Sequence, residues 1–568
     1  MAGPQHNHAS SRDGLVFLAL GGLGEIGMNC YLYGLGREDR HRWLMVDLGI
    51  TFPEGEFDPG VDVILPDLRF IEERARDLAG IVLTHAHEDH FGAVIELWPR
   101  LQAPIYATPF TAALLKAKLA EFGGRLKLPI HEVEMGRRFT VGPFDVELVT
   151  MAHSIPEPNG LLLRTPHGTV FHTGDWKLDP SPVLGPPADE AKIAAAGGEG
   201  VLALVCDSTN AFRDGRSPSE SDVARSLARI VKGAQRCVAV TTFASNVGRI
   251  KAIAEAARGA GRHLVVAGRA MHRIIQVAID TGYLPQDFRY FDQQEFSHLD
   301  ADKVLALVTG SQGEPRAALA RIAESEHPEI SLGKEDTIIF SSRTIPGNEK
   351  AVGRIQNALA RMGCDIVTDT DALVHVTGHP RREELKQMYA WVKPRIAIPM
   401  HGEVRHLKEH ARLAREAGVA QVLTPINGEM VELAPGPVAI VDEAPVGRLF
   451  RDGRLIVPSD EGPVRQRRKL SFVGIVVVSV VLSRRGDVLV EPEVVLDGIP
   501  SETVDGKAMI DIALDAVDGT IESIPASRRR DPEMVRDAIR RAVRAAINEQ
   551  WGKKPIAKVM VSVMDVKP

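Results

Sequence analysis

The stretch VLTHAHEDHFGA, residues 82–93, sets three histidines and two carboxylates within six consecutive positions. It continues the strand-like run GIVLT. At a strand end the chain leaves the pleat, so a short turn can fold several side chains back towards one point. Packing alone gives no reason for the HxHxDH pattern of His85, His87, Asp89 and His90, whereas chelation does. Four donors are more than one tetrahedral ion with an open catalytic position accepts, so two metals are the economical reading. Imidazole suits zinc and carboxylate suits harder ions, so two Zn2+ are expected, with Mn2+ or Mg2+ as alternatives.

A dinuclear site needs more ligands and a bridge. Residues 15–180 alternate apolar runs with turns (LVFLAL, WLMVDLG, GIVLTHAH, FDVELVTMAH, GTVFHTGD), and several runs end in a polar residue: Asp47, His85, His153 and Asp175. Strands that deliver polar residues at their ends would gather them on one sheet edge. Helical patterns such as PFTAALLKAKLAEFGG (109–124) lie between them, so the class is α/β. The later run RIAIPMHGE adds His401 in the same style. His172, before the Gly-Asp pair, reads as packing or as support for the ligands.

A second α/β rhythm fills the gap before that return. SESDVARSLARIVKG and NVGRIKAIAEAARGAG read as helices, while CVAVTTFAS, HLVVAG, KVLALVTGS and TIIFSS read as strands and turns. At 371–402 the first style resumes with DALVHVTGH, so the second unit reads as an insertion. The expected divisions are a disordered tail over 1–14, a first segment over 15–214, the insertion over 215–370, a return segment over 371–448, a linker over 449–470 and a C-terminal domain over 471–568. The linker rests on turn formers at 443–469 and the basic RQRRK. The run FVGIVVVSVVL (472–482) is too short to span a bilayer and reads as a buried strand. DPEMVRDAIRRAVRAAINEQ reads as a helix with Asp531 as N-cap, Pro532 at its first position and an apolar stripe. Its arginines read as a solvated face, with RNA contact as the alternative.

Composition bounds the rest. A chain of 568 residues is long enough for several domains. Hydrophobic residues at 44% and charged residues at 25% are the balance of a folded soluble protein. Sixty-eight Lys and Arg against 75 Asp and Glu give a net charge of −7, so any basic groove must be local. Cys30, Cys206, Cys237 and Cys364 form no CxxC pair and read as core residues of a cytoplasmic protein. The N-terminus has no secretion pattern, and the HxH of His6 and His8 falls in the expected tail.

HAHEDH, His153, Asp175 in HTGD and Asp47 in VDLG resemble the metallo-β-lactamase pattern, which implies an αββα sandwich with metals at one edge. By that resemblance His85, His87 and His153 hold one zinc, Asp89, His90 and His401 the other, Asp175 bridges, and Asp47 orients ligands. LVCDSTNA with Asp207, LVHVTGHPRREE and His401 in PMHGE resemble the three motifs of the β-CASP nucleases, which act on nucleic acids; a histidine at the third motif is typical of the RNA-processing members. LGGLGEIGMN, GITFPEGEFDPGVDVILPD, TFASNVGRI, TGSQGEP and SSRTIPGNE extend the resemblance to bacterial ribonuclease J over nearly the whole chain. Thr377 stands where serine is common, which keeps the hydroxyl. NVGRI replaces a bulkier residue.

The implied protein is a zinc-dependent ribonuclease acting on single-stranded RNA. It is a 5′-to-3′ exonuclease preferring 5′-monophosphate ends, with endonuclease capacity, in RNA maturation and mRNA decay. Two zinc ions acidify water and clamp a phosphodiester. His375 and His379 are candidates to contact the scissile phosphate and protonate the leaving oxygen, with His379 favoured as the acid. Thr377 and Gly378 would help form a 5′-phosphate pocket, and Ser245, Ser342 and Arg343 would bind RNA backbone. The resemblance also implies a homodimer or homotetramer and other RNA-decay proteins as partners. An inactive RNA-binding scaffold, a DNA nuclease and a small-molecule hydrolase of the same fold are the rivals.

Overall fold

The computed structural model describes residues 13–565 except 38–39, 54, 56, 124–125 and 461. His6 and His8 lie outside the described residues. The chain divides into two compact units, residues 1–52 with 64–449, and residues 53–63 with 450–568.

Two sheets make the body of the first unit. The eight-stranded one runs, in spatial order, from Ala439–Glu443 and Glu429–Ala434 through Asp13–Gly21, Cys30–Arg37, Arg42–Val46 and Leu78–Val82 to Ile105–Ala107 and Ile130–Glu132. The seven-stranded one runs from Gln421–Val422 through Ile396–Met400, Ala203–Asp207, Gly168–His172 and Asn159–Thr165 to Phe144–Thr150 and Arg138–Val141. Their inner faces meet in one core, in which Phe17, Tyr33 and Val46 of the first pack with Val146, Leu161, Val205 and Ile398 of the second. The second sheet's outer face is covered by helices through Ile193, Leu385, Met388 and Leu413. Alternate residues of these strands are therefore apolar on both faces, and the strands read as nearly continuous hydrophobic runs.

The return segment completes both sheets. Ile396–Met400 pairs in parallel with Ala203–Asp207, with Asp207 opposite Met400, and Glu429–Ala434 pairs antiparallel with Asp13–Gly21. Residues between these halves form a separate parallel sheet in the order Phe291–Asp292, His263–Ala267, Val304–Val308, Val238–Thr241, Thr337–Phe340 and Asp365–Val367. The chain is thus a sandwich interrupted by an inserted α/β domain.

In the second unit, the strands Val488–Asp497, Ile475–Ser483 and Ile556–Met564 form one sheet, with the helices Met509–Ser523 and Pro532–Trp551 packed on one face. Two readings of the sequence change here. The segment 449–470, read as a linker, carries the strands Arg448–Asp452 and Leu455–Pro458 and most of the helix Gly462–Val473. Its basic run is anchored, with Arg467 bonded to Asp452 and Arg468 3.2 Å from Asp58, so its turn formers shape a hairpin. The run 472–482, read as one buried strand, divides at Gly474. Phe472 lies in the last turn of the helix Gly462–Val473 and is exposed, and the strand beyond buries only alternate residues because helices cover one face alone. The final helix follows its pattern: Asp531 accepts from the amides of Glu533 and Met534, and Val535, Ile539, Val543 and Ile547 are fully buried.

Candidate metal centre and nucleic-acid site

Six strands of the sandwich release their chains on one edge, and the polar residues just past them converge. Asp47 follows Arg42–Val46, His85 follows Leu78–Val82, His153 follows Phe144–Thr150, Asp175 follows Gly168–His172, Asp207 ends Ala203–Asp207, and His401 follows Ile396–Met400. Asp47 and His401 hold left-handed backbone (φ +62° and +52°), a strained conformation of the kind that clusters at functional sites.

Among the described residues three donor groups share Asp175: His85, His87, His153 and Asp175; Asp89, His90, Asp175 and His401; and Asp175, Asp207, His379 and His401, of which the first two carry the expected ligands. In the first, His87 Nδ1 lies 3.1 Å from His85 Nε2 and 3.0 Å from His153 Nε2. Burial foremost pushes all three imidazoles towards neutrality, His87 down to about 4. Three ring nitrogens facing one another in that form suit a shared cation. In the second, His90 Nε2 is 3.2 Å from Asp175 Oδ2, and His401 Nε2 is 3.2 Å from Asp89 Oδ2. Here burial would depress the imidazoles, but Asp175 and the neighbouring carboxylates outweigh it and lift His401 to about 10. That crowd of negative charge also asks for a cation. Asp175 Oδ1 is buried with no hydrogen-bond partner, and Oδ2 lies 3.7 Å from His153 Nε2, so this carboxylate stands between the groups.

The surrounding hydrogen bonds fix which ring nitrogen faces inward. His90 Nδ1 donates to Asp47 Oδ2 at 2.7 Å, and His153 Nδ1 donates to the Gly378 carbonyl at 2.6 Å. Thr84 Oγ1 donates to Asp47 Oδ2, so it accepts from His85 Nδ1 at 3.0 Å. Thr209 Oγ1 donates to Asp207 Oδ1, so it accepts from His401 Nδ1 at 2.8 Å. In each case Nε2 is the nitrogen turned to the donor group, the outer support that metal-binding histidines require, and that of His90 also lies 3.0 Å from Asn29 Nδ2. The donor set therefore fits metal ions. Thr84 and Thr209 escaped the sequence reading, since a lone hydroxyl carries no pattern.

Beside this centre runs the segment HVTGH, which is irregular rather than helical. His379 Nδ1 donates to Asp207 Oδ2 at 2.7 Å, and its side chain is 20% exposed. Burial would lower its pKa, but Asp207 and Asp175 outweigh that and raise it. His375 is the opposite case: burial first, then the cations Arg249, Arg343 and Lys177, push it well below the ordinary range. Its Nδ1 is buried with no hydrogen-bond partner. Gly378 cannot carry a side chain, because a Cβ there would lie 2.4 Å from the His153 ring. Thr377 Oγ1 accepts from Asn210 Nδ2 at 2.8 Å.

Ser245, Ser342 and Arg343 lie past the paired strands Val238–Thr241 and Thr337–Phe340, where a parallel sheet commonly binds ligands. Ser342 is buried, Ser245 half-buried and Arg343 exposed. His172 is fully buried and its Nδ1 shares a hydrogen bond of 2.9 Å with Tyr33 Oη, outside all three donor groups. All four cysteines are buried and free. Among the described residues no helix is long and apolar enough to cross a membrane.

Comparison with known proteins agrees along the chain. Family models match residues 57–195 ("Beta-lactamase superfamily domain"), 234–359 ("Ribonuclease J, beta-CASP domain"), 365–425 ("Zn-dependent metallo-hydrolase RNA specificity domain") and 462–566 ("Ribonuclease J C-terminal domain"). The chain is 53% identical over 557 residues to a ribonuclease J of Sinorhizobium meliloti, covering 98% of this chain and 99% of that one. It is 38% identical over 482 residues to the Thermus thermophilus ribonuclease J, 82% of each chain, and 33% identical over 553 residues to the Bacillus subtilis ribonuclease J2, 97% and 98%. A crystal structure of an Enterococcus faecalis protein of unknown function shares the fold, with a TM-score of 0.51 at 16% identity over 74% of this chain and 100% of that one.

Proposed function

The chain belongs to the ribonuclease J family and is a metal-dependent ribonuclease, and from that premise we propose that it trims single-stranded RNA from 5′-monophosphate ends in the 5′-to-3′ direction, with endonuclease capacity, in RNA maturation and mRNA decay. The observation that carries this reading is the pair of donor groups meeting at Asp175 with the HVTGH segment beside them.

In this reading His85, His87 and His153 would hold one Zn2+ and Asp89, His90 and His401 a second, with Asp175 shared by the two donor groups and Mn2+ or Mg2+ as alternative occupants. Such ions supply a water acidified towards neutrality and positive charge for the phosphate oxygens. The chain's own residues do the rest. Asp47 and Asp207 orient the ligands and His379. The Asp207 carboxylate holds His379 Nδ1–H, so Nε2–H is left for the substrate and gives its proton to the departing 3′ oxygen. His375, kept neutral by its surroundings, is not the proton source. Arg249, Arg343 and Lys177 surround it and it belongs to no donor group of the centre, so it is reassigned from the scissile phosphate to the 5′ phosphate, to which it donates a hydrogen bond beside Thr377 and the Gly378 backbone, while Ser245, Ser342 and Arg343 hold the RNA backbone. A single strand suits this reading because its splayed backbone and unstacked bases can reach contacts that a duplex buries. The protein works in the cytoplasm as a homodimer or homotetramer alongside other RNA-decay proteins, a state that light scattering of the purified chain reads directly.

The test is product sizing with single-stranded RNA carrying a 5′ monophosphate or 5′ triphosphate, beside matched DNA. Mononucleotides from the monophosphate RNA alone are expected. Internal fragments insensitive to the 5′ end would make it chiefly an endonuclease, cleavage of the DNA a DNA nuclease, and no cleavage at all a scaffold. Asp89→Ala or His90→Ala should abolish cleavage and leave folding and RNA binding largely intact.

A further inference from the structure

Arg249 is fully buried on the helix Val247–Gly259 of the inserted domain, remote in sequence from every metal-ligand candidate. A guanidinium survives in such a place only when its donors are met. Its Nε and Nη2 donate to Glu220 Oε2 at 3.2 and 2.8 Å. Its Nη1 donates to the Ser341 carbonyl at 3.0 Å, to Ser341 Oγ at 2.7 Å and to the Val374 carbonyl at 2.9 Å. Ser341 Oγ–H reaches the same Val374 carbonyl at 2.7 Å. The peptide that leads into His375 is therefore held by two hydrogen bonds.

On its other side the arrangement reaches the metal centre. Glu220 Oε1 lies 3.9 Å from Lys177 Nζ, and Lys177 Nζ lies 3.0 Å from Asp179 Oδ2. Asp179 accepts from Ser219 Oγ at 2.6 Å and from the Glu220 amide at 2.9 Å. Lys177 stands two residues beyond Asp175. A balanced set of two cations and two carboxylates thus links the strand end that carries Asp175 to the segment that carries His375. Buried ion pairs of this kind seldom add stability over apolar side chains of the same volume. What this one supplies is a fixed backbone for a segment that has no helix or strand of its own.

We propose that Arg249 is a positioning residue for the reaction: by holding the Val374 carbonyl it aims the His375 imidazole at the 5′ phosphate of the RNA. The inference rests on the reading of His375 as the contact of the 5′ phosphate and not of the scissile one. Arg249 itself touches no substrate. Lysine at this position keeps the charge but loses the fork that grips Glu220 and Val374 together.

The test compares wild type, Arg249→Lys, Ser341→Ala, His375→Ala and the double variant Arg249→Lys/His375→Ala on RNA with a 5′ monophosphate or a 5′ hydroxyl. Readouts are the ratio of kcat/KM for the two ends, bound zinc and thermal unfolding. Arg249→Lys should cut the ratio by about tenfold, a loss typical of small misplacements of a contact group, with zinc content unchanged. Ser341→Ala, which removes one hydroxyl, should move it the same way by less, and it carries the test alone if Arg249→Lys does not fold. The double variant should fall no further than His375→Ala, because two changes acting through one contact do not add. A wild-type ratio in folded Arg249→Lys, equal losses on both ends, or multiplying effects in the double variant would each overturn the inference. A wild-type protein indifferent to the 5′ end would instead sink the reading of His375, and it shows in the wild-type arm alone.

Discussion

Each of the imidazoles of His85, His90, His153 and His401 gives its Nδ1–H to a protein oxygen, and the consequence at the scale of the residue is a set of preoriented Nε2 donors. Asp47 serves two of them, His90 directly and His85 through Thr84, so Asp47→Ala should weaken metal binding by about 10- to 100-fold, as read by competition with a chromogenic chelator. An unchanged affinity would leave Asp47 as mere packing. His410 offers a test of burial alone. It is fully buried between Ser208 Oγ at 2.8 Å and Tyr389 Oη at 2.9 Å, and burial pushes its pKa down to about 4. The unfolded chain then binds a proton that the folded chain refuses, so stability contributed by His410 is present above pH 6.5 and is lost as the pH falls towards 4. Between pH 7 and pH 5 this amounts to about 2 kcal/mol. His410→Gln should flatten that part of the curve of unfolding midpoint against pH. At this scale the sequence was legible where ligands crowd, as in HAHEDH, and where a run ends in a polar residue, as at Asp47. It was silent on Thr84, Thr209 and Arg249, because their partners lie far away in the chain and their residue types are unremarkable alone.

At the scale of the element, the helix Arg382–Val392 begins with a junction. Glu384, fully buried in its first turn, accepts from the amides of Leu178 at 2.8 Å, Ser217 at 3.0 Å and Arg381 at 2.9 Å. One carboxylate thereby joins the chain near the metal centre, the entry to the inserted domain and the return from it. Glu384→Ala would strand three amides and should cost at least about 3 kcal/mol, at about 1–3 kcal/mol for each buried donor left unmet, measured by urea unfolding. A loss under about 1 kcal/mol would mean that water replaces the carboxylate. In the second unit, Gly474 holds φ +62°, and a Cβ there would lie 2.6 Å from the Gly498 carbonyl. Gly474→Ala should destabilise that unit by about 1–3 kcal/mol, visible as early hydrogen exchange in Ile475–Ser483. The alternation of this strand was hidden in the sequence, because FVGIVVVSVVL is apolar at almost every position and only the one-sided cover of helices decides which residues are buried. The final helix was legible in full, since its cap, its proline and its stripe are all local signals.

For the whole molecule, metal and fold are linked: ions that bind the folded centre and not the unfolded chain must raise stability, by about 4 kcal/mol at a thousandfold excess over Kd. Chelation should therefore lower the unfolding midpoint and abolish cleavage together, and added zinc or manganese should restore both. A midpoint indifferent to chelator and to added metal would argue that no ion is held there. By itself the sequence determined the class of the fold, the insertion, the chemistry of the donors and the family, because hydrophobic period, strand-end polarity and motif spacing are properties of neighbours in the chain. Tertiary structure alone decided that Asp207 and His401 share an edge through parallel strands, that His153 rests on Gly378, and that Arg249 reaches the peptide before His375. Those contacts join residues about 125 to 225 positions apart, and such pairings are set by the packing of two sheets and an inserted domain, which no local pattern encodes.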